Sequence, residues 1–350
     1  MTRFGLPAFR HRASVRLAVA VAASVAAAAS ALAPGAASAS PAPSAVPAAD
    51  HRPQYVALGD SYSAGVYVRP WEDHDGCGRS YRNYPHQVAE ALGLRLHDVT
   101  CGAAEVVDGV LAPQPSEKIY GPPSIPPPGG WDPRPAQIGA LSPATDYVTV
   151  GVGGNSLGFG AIVAKCSALG LSHFGLGSPC EHYYTEGEGH AWLAEKRREL
   201  TEDYSLMLHA IRRAAPNATV AVVGYPAIVP TSAGCNWLTF RQLGSIAKGD
   251  MPWLDALEQG LNHTLRTAAL EHHDQYVDTY TSSEAHGVCA AGAAKWMYGV
   301  RDDLTGEGDQ TDTPSPACEE IPGTGEACTF VHPNASGLDN QARQVIAALS

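Results

Sequence analysis

Downstream of its first forty residues the chain has no second long apolar run. Nothing there offers the roughly 20 apolar residues that a membrane-crossing helix needs. Positive charge is also scarce. Lys and Arg number 23 against 35 Asp and Glu, a formal charge of -12, and they form no basic stripe. Such a chain is repelled by nucleic acid and by anionic membrane surfaces, so no nucleic-acid partner is expected. Cys-x-x-Cys is absent, as are His-Glu-x-x-His and a clustered Asp pattern. Structural zinc and metal-assisted hydrolysis thereby lose their usual signatures, and no metal or cofactor is expected. Internal repeats are missing too, and beyond Gln54 there is no second linker. A single domain over 54–350 follows, large but within the range of one fold.

What is present begins with a basic start, Arg3, Arg10, Arg12 and Arg16. An uncharged, Ala/Val-dominated run over 17–32 follows, and Ala37-Ser38-Ala39 fits the small-x-small cleavage pattern. Residues 1–39 therefore read as a secretory leader, and 40–53 as a mobile Pro/Ala linker. The leader holds four arginines and no acid, so its removal leaves a more acidic, extracellular chain without stable membrane insertion. Eight cysteines in an exported protein point to disulfides. Eight allow 105 pairings. Neighbour pairing is expected, because each pair flanks a loop-rich stretch: Cys77–Cys101, Cys166–Cys180, Cys235–Cys289 and Cys318–Cys328.

From Gln54 on, strand and helix patterns alternate. Tyr55-Val56-Ala57-Leu58, 146–152, 219–223 and Tyr276-Val277-Asp278 read as strands. Helical spacing marks 84–92, 190–214, 253–270 and a closing helix over 338–349. That alternation predicts an α/β chain with a parallel sheet covered on both faces. The stretches 111–135, 166–189, 228–250 and 281–331 read as long irregular loops. Loops of this length are usually functional or disordered, and the cysteines beside them favour order.

In such sheets ligands bind beyond the carboxyl ends of the strands. Three strand ends here run into small, polar turns: Gly59-Asp60-Ser61, Cys101-Gly102-Ala103 and Gly153-Gly154-Asn155. If the strands are neighbours, the turns meet on one edge. Acyl transfer by serine needs a hydroxyl, a base and donors aimed at the developing oxyanion. Ser61 supplies the hydroxyl. The amides of Ser61 and of Gly102 or Ala103, with the Asn155 side chain, supply donors. Of 14 histidines, His332 stands apart in "FVHPNASG", where Pro333 favours an extended backbone just before the closing helix. Neither Ser61 nor Ser63 sits in Gly-x-Ser-x-Gly, so this turn is not the nucleophile elbow of an α/β-hydrolase.

"GDSYSAG" (59–65), "VTCGAAE" (99–105), "VTVGVGGNSLGF" (148–159) and "FVHPNASG" (330–337) together resemble the SGNH/GDSL hydrolase superfamily, and most its secreted actinobacterial lipase and esterase branch. The resemblance spans the whole chain after the leader. It implies a three-layer α/β/α sandwich with a central parallel sheet, Ser61 as nucleophile and His332 as base. It further implies an oxyanion hole from the Ser61 amide, a second-block amide and Asn155. Three of the expected disulfides, 77–101, 166–180 and 235–289, fit that branch, and 318–328 is an addition. Three departures stand out. The second block reads Cys-Gly-Ala rather than Cys-x-Gly, which leaves Gly102 and Ala103 both open, with spacing favouring Ala103. Ser156 replaces an Asp after Asn155. Thr329 stands where many members carry the Asp that orients the histidine.

The expectation is a secreted, monomeric serine ester hydrolase acting on lipid or small acyl esters. Phospholipase A-type and carbohydrate O-acetyl esterase activities are the alternatives in chemistry, and a binding module retaining the fold is the alternative in class. A Ser61–His332 dyad is expected, with the main-chain carbonyl of Thr329 accepting from the ring. Asp278 and Asp312 are the acids that would complete a triad instead. Ile119, Tyr120, Ile125 and Trp131 are candidates for lining an acyl groove.

Overall fold

The computed structural model describes residues 50–71, 75–119, 127–229, 235, 243–299 and 331–350. Asp50–Ser350 form one compact unit. Its spine is a parallel sheet of five strands: β1 (Gln54–Gly59), β2 (Arg95–Asp98), β3 (Tyr147–Gly151), β4 (Thr219–Val223) and β5 (Gln275–Val277). Their order is β2-β1-β3-β4-β5. The sequences "YVTVG" and "TVAVV" suit β3 and β4, whose residues after the first are buried, since a sheet covered on both sides takes β-branched residues throughout. β2 lies at the edge, and its residues alternate between exposed and half-buried.

The twofold alternation of the strands sorts the core into two layers. Val56, Leu58, Val148, Val150, Val220 and Val222 face the larger one. It is covered by α6 (His190–Ala214) and α7 (Met251–Glu271), which put Leu193, Leu200, Leu208, Leu254, Leu261 and Leu265 against it. Tyr55, Ala57, Ala221 and Val223 face the other. It is covered by α2 (Tyr84–Leu92) and α8 (Ala335–Leu349) through Val88, Ala89, Ala342 and Val345. Asn83 caps α2 by accepting from His86 N at 3.1 Å, and Gly93 ends it in the left-handed conformation. The result is a three-layer α/β/α sandwich.

The described residues hold three disulfides, Cys77–Cys101, Cys166–Cys180 and Cys235–Cys289. The expected 318–328 pair lies outside the described residues. The stretch 166–189 differs from the loop read in the sequence. It holds the second half of α4 (Phe159–Ser172) and all of α5 (Pro179–Thr185). α4 reads "FGAIVAKCSALGLS", apolar or small at every position but Lys165, so it shows little amphipathic period. Two short helices follow strand ends at the carboxyl edge of the sheet, α1 (Ser61–Ala64) after β1 and α3 (Gly154–Leu157) after β3. No helix among the described residues is long and apolar enough to cross a membrane.

Candidate active site

The order β2-β1-β3 makes β1 and β3 neighbours at the point where the chain reverses direction across the sheet. Their carboxyl ends place α1 and α3 side by side. Gly59 ends β1 at φ +153°, and a Cβ there would lie 2.3 Å from Ser63 Oγ and 2.6 Å from Gly151 O. Glycine alone fits this approach. The Gly59 peptide is bound at both ends by Gln137, whose Oε1 accepts from its N–H at 2.7 Å and whose Nε2 donates to its carbonyl at 2.9 Å. Asp60 then caps α1, its Oδ1 accepting from Tyr62 N at 2.9 Å. Ser61 is the first residue of that helix, so its hydroxyl stands at the open edge.

Ser61 Oγ lies 2.7 Å from His332 Nε2 across 271 residues of sequence. The histidine sits off the sheet. An isolated bridge pairs Pro333 with Met297, and main-chain bonds run from Tyr298 N to His332 O (2.8 Å), Val331 N to Gly299 O (3.1 Å) and Asn334 N to Trp296 O (2.9 Å). Asn334 in "HPN" caps α8 by accepting from Gly337 N at 3.1 Å. Tyr62 Oη donates to Val331 O at 2.6 Å. Val331 itself adopts φ +59°, a left-handed conformation that a β-branched residue enters only under constraint from its surroundings. Rings of Tyr62 and Tyr67 flank the imidazole, with centroids at 4.9 and 5.5 Å.

The second block resolves its open choice through hydrogen bonding. Gly102 N donates to Cys77 O at 2.9 Å, so that amide is already committed. Ala103 N and Ser61 N donate to nothing among the described residues, and Ala103 adopts φ +61°. Of the two second-block amides, only that of Ala103 remains available to an oxyanion. Asn155 Nδ2 donates to Ala104 O at 3.0 Å, which ties the side-chain amide to the same turn. Ser156, standing where the family has Asp, accepts from Val106 N at 2.9 Å through Oγ and pins that turn onto α3. Ser156 is also the centre of Gly154-Asn155-Ser156-Leu157-Gly158, a Gly-x-Ser-x-Gly match in mid-chain. Its hydroxyl is bonded to a backbone amide and no histidine among the described residues bonds it, so it does not form a nucleophile–base pair.

A buried link joins the two strand ends, and nothing in the motifs announces it. Tyr225, just after β4, accepts from Gly154 N at 2.8 Å and donates to Asp60 Oδ2. Asp60 is 1 % exposed, and burial pushes its carboxyl up to about 7, against the opposing hydrogen bonds from Tyr225 and Tyr62. The signal for Tyr225 is weak: one aromatic residue two positions beyond a strand end.

Asp278 has both carboxylate oxygens on Thr281, at 3.0 and 2.7 Å, where it caps the following turn. Thr329 and Asp312 lie outside the described residues. Ile119 and Trp131 pack over Gly76, while Tyr120 and Ile125 lie outside the described residues. A narrow apolar cleft that reaches Val331, the residue before His332, is lined by Phe159, Val163, Ile228, Ile246, Leu254 and Val331, with Glu258 in its wall.

Comparison with known proteins shows the family. The chain matches the profile of the GDSL-like Lipase/Acylhydrolase family over residues 57–339. It is 38% identical to Lipase 2 of Streptomyces coelicolor over 246 residues, 69% of this chain and 75% of that protein. It is 28% identical to an esterase of Streptomyces scabiei over 318 residues, 83% of this chain and 84% of that one. The crystal structure of phospholipase A1 from Streptomyces albidoflavus superposes with a TM-score of 0.57 at 21% identity, covering 85% of this chain and 99% of that one, which shows the shared fold. Sequence, sheet order and edge geometry converge on ester hydrolysis: the chain belongs to the GDSL-like lipase/acylhydrolase family.

Proposed function

We propose that this carboxylic ester hydrolase works as an exported enzyme through a Ser61–His332 dyad, on lipid or small acyl esters. The observation that carries the reading is the 2.7 Å contact between Ser61 Oγ and His332 Nε2. Ser61 Oγ attacks the ester carbonyl carbon while His332 Nε2 takes its proton. The carbonyl oxygen becomes an oxyanion, held by the amides of Ser61 and Ala103 and by Asn155. Removing one such donor typically costs about 2.7–4 kcal/mol of transition-state stabilisation. The tetrahedral adduct collapses, the C–O bond to the alcohol breaks, and His332 returns the proton to the leaving oxygen. Water, deprotonated by His332, then cleaves the acyl-enzyme and regenerates Ser61.

His332 accepts at Nε2, so its Nδ1 carries a proton that needs an acceptor. The main-chain carbonyl of Thr329 is the proposed one. Thr329→Ala keeps that carbonyl and should stay within a few-fold of wild type. Asp278→Asn and Asp312→Asn should each have small effects, and a loss of about four orders of magnitude from either would identify a triad acid instead. The relatives named lipase favour lipid esters. The leader reading (1–39) is checked by the N-terminus of exported protein. The deciding experiment offers p-nitrophenyl esters of several chain lengths with a fluorophosphonate probe. Turnover with labelling of Ser61 alone is expected. Labelling at Ser63 or Ser156, or no turnover at any length by folded protein, would overturn the mechanism.

A further inference from the structure

The disulfide Cys166–Cys180 closes the segment "CSALGLSHFGLGSPC", which holds no Lys, Arg, Asp or Glu in a chain of formal charge -12. Over the last turn of α4 and the connection to α5 this segment bares three large apolar side chains: Leu171 is 70%, Phe174 90% and Leu176 72% exposed. Single exposed apolar residues are ordinary, but three within six positions make a patch, and patches mark interaction surfaces.

The apex is ordered. His173 N donates to Leu169 O at 3.0 Å, Phe174 N to Leu171 O at 3.1 Å, Gly175 N to Gly170 O at 2.7 Å and Leu176 N to His173 O at 3.0 Å. Phe174 adopts φ +55°, a conformation that a bulky side chain resists, so the turn holds an aromatic ring in water against its backbone preference. Below the apex the segment is fixed. Ser245 Oγ donates to Ser167 O at 2.7 Å, and a Cβ on Gly170 would lie 2.0 Å from Ser245 O. Asp250 Oδ1 accepts from both Cys180 N and Glu181 N at 3.0 Å. A rigid root therefore carries an apolar end.

The same helix serves the catalytic edge. α4 begins at Phe159, directly after the helix that holds Asn155, and its Phe159 and Val163 line the apolar cleft that reaches Val331, the neighbour of His332. We propose that the 171–176 apex anchors the enzyme to the surface of an uncharged lipid aggregate, inserting Leu171, Phe174 and Leu176 and holding the catalytic edge against esters in that layer. The proposal rests on the lipid-ester reading above. The apex has no charged group to recognise an anionic headgroup or to fix register with a protein, and the acidic chain is repelled by an anionic bilayer. An apolar tip needs no counter-charge to enter a neutral or zwitterionic interface.

Binding can be read apart from catalysis. Ser61→Ala protein is sedimented with phosphatidylcholine vesicles, with and without Phe174→Asn and Leu176→Gln together. Asn is chosen because it tolerates the left-handed position. The double change should lower partitioning at least tenfold with an unchanged melting temperature, and Leu171→Gln alone should lower it about threefold. With Ser61 intact, hydrolysis of dissolved p-nitrophenyl acetate should stay within twofold, while hydrolysis of emulsified tributyrin falls at least tenfold. Equal partitioning of the double variant, or no partitioning by its parent, overturns the tip. So does self-association in the ultracentrifuge that the double variant abolishes, because the patch is then an interface between copies. Vesicle binding that depends on the apex, in a protein inactive on every ester, upholds the tip and fails the catalytic reading instead.

Discussion

The Ser61 side of the candidate site and the His332 side are held in opposite ways. Ser61 stands on the sheet and is wired by buried side chains: Gln137 on the Gly59 peptide, Asp60 on Tyr62 N, and Tyr225 between Asp60 and Gly154. His332 stands off the sheet, and its segment is wired mainly by main chain, through Tyr298, Gly299 and Trp296, with side-chain bonds from Tyr62 to Val331 O and from Asn334 to Lys295 O. Side-chain wiring can be cut by one substitution. Main-chain wiring survives most substitutions but depends on a segment far away in sequence. Point mutations should therefore injure the serine side more than the histidine side, unless they remove the reacting groups.

The largest effect comes from those groups. Ser61→Ala and His332→Ala should each lower kcat on p-nitrophenyl butyrate by roughly three orders of magnitude or more, with the double mutant close to either single one, because the pair acts as a unit. Additive losses in the double mutant would show that the 2.7 Å contact is not the working pair.

Next comes the link on the serine side. Tyr225→Phe leaves Gly154 N and Asp60 Oδ2 without their partner, and an unsatisfied buried group costs about 1–3 kcal/mol. kcat should fall about tenfold with KM within twofold, since the damage is to alignment of Ser61 and Asn155 rather than to substrate contact. The Tyr225 bond holds the Asp60 carboxyl down against burial, so its loss should move Asp60 upward from about 7, carrying any activity shoulder near that pH with it. A fall in melting temperature with unchanged kcat would reduce Tyr225 to packing.

The histidine side offers the smaller counterpart. Tyr62→Phe removes the 2.6 Å bond to Val331 O but leaves the main-chain bonds of 331–334. A two- to fourfold loss in kcat is expected, recoverable in part by lowering the temperature, because Val331 can then relax from φ +59°. A loss larger than that of Tyr225→Phe would invert the comparison.

The sequence made one side of this edge far more readable than the other interactions that hold it. Strand ends followed by Gly-Asp-Ser and Gly-Gly-Asn carry local signals, because tight turns demand small residues and caps demand Asp or Asn. "HPN" before a helix is local too, and Asn334 does cap α8. Tyr225, Tyr62 and Gln137 carry no such mark: their partners lie 165, 269 and 78 residues away, and only the folded sheet brings them together. Spacing leaned toward Ala103 over Gly102, but the bond from Gly102 N to Cys77 O, which commits one of the two amides, carried no sequence signal. α4 escaped detection for a different reason, as a helix that is apolar or small at every position but Lys165 gives periodicity little to register.

The last effect is in stability rather than rate and concerns Glu258, in the wall of the cleft that reaches Val331. It is 2% exposed, its Oε2 accepts from Ile228 N at 3.1 Å, and its Oε1 has no hydrogen-bond partner. Burial pushes its carboxyl well above the usual carboxylate range, with the nearby Asp255 adding to the shift, and both favour the neutral form in the fold. The unfolded chain titrates it at an ordinary value of about 4.3. Because the folded form binds the proton more tightly, the stability it contributes is full below that ordinary value and is lost as pH rises toward the folded one. Glu258→Gln keeps an oxygen for Ile228 N and carries no proton to lose. The variant should therefore gain on wild type as pH rises from 5 to 8, by at most about 1.4 kcal/mol per pH unit. Chemical denaturation of both proteins at those two pH values measures the gap. A difference independent of pH would mean that Glu258 is already ionised in the fold, and the cleft that reaches Val331 would then hold a buried charge rather than a neutral acid.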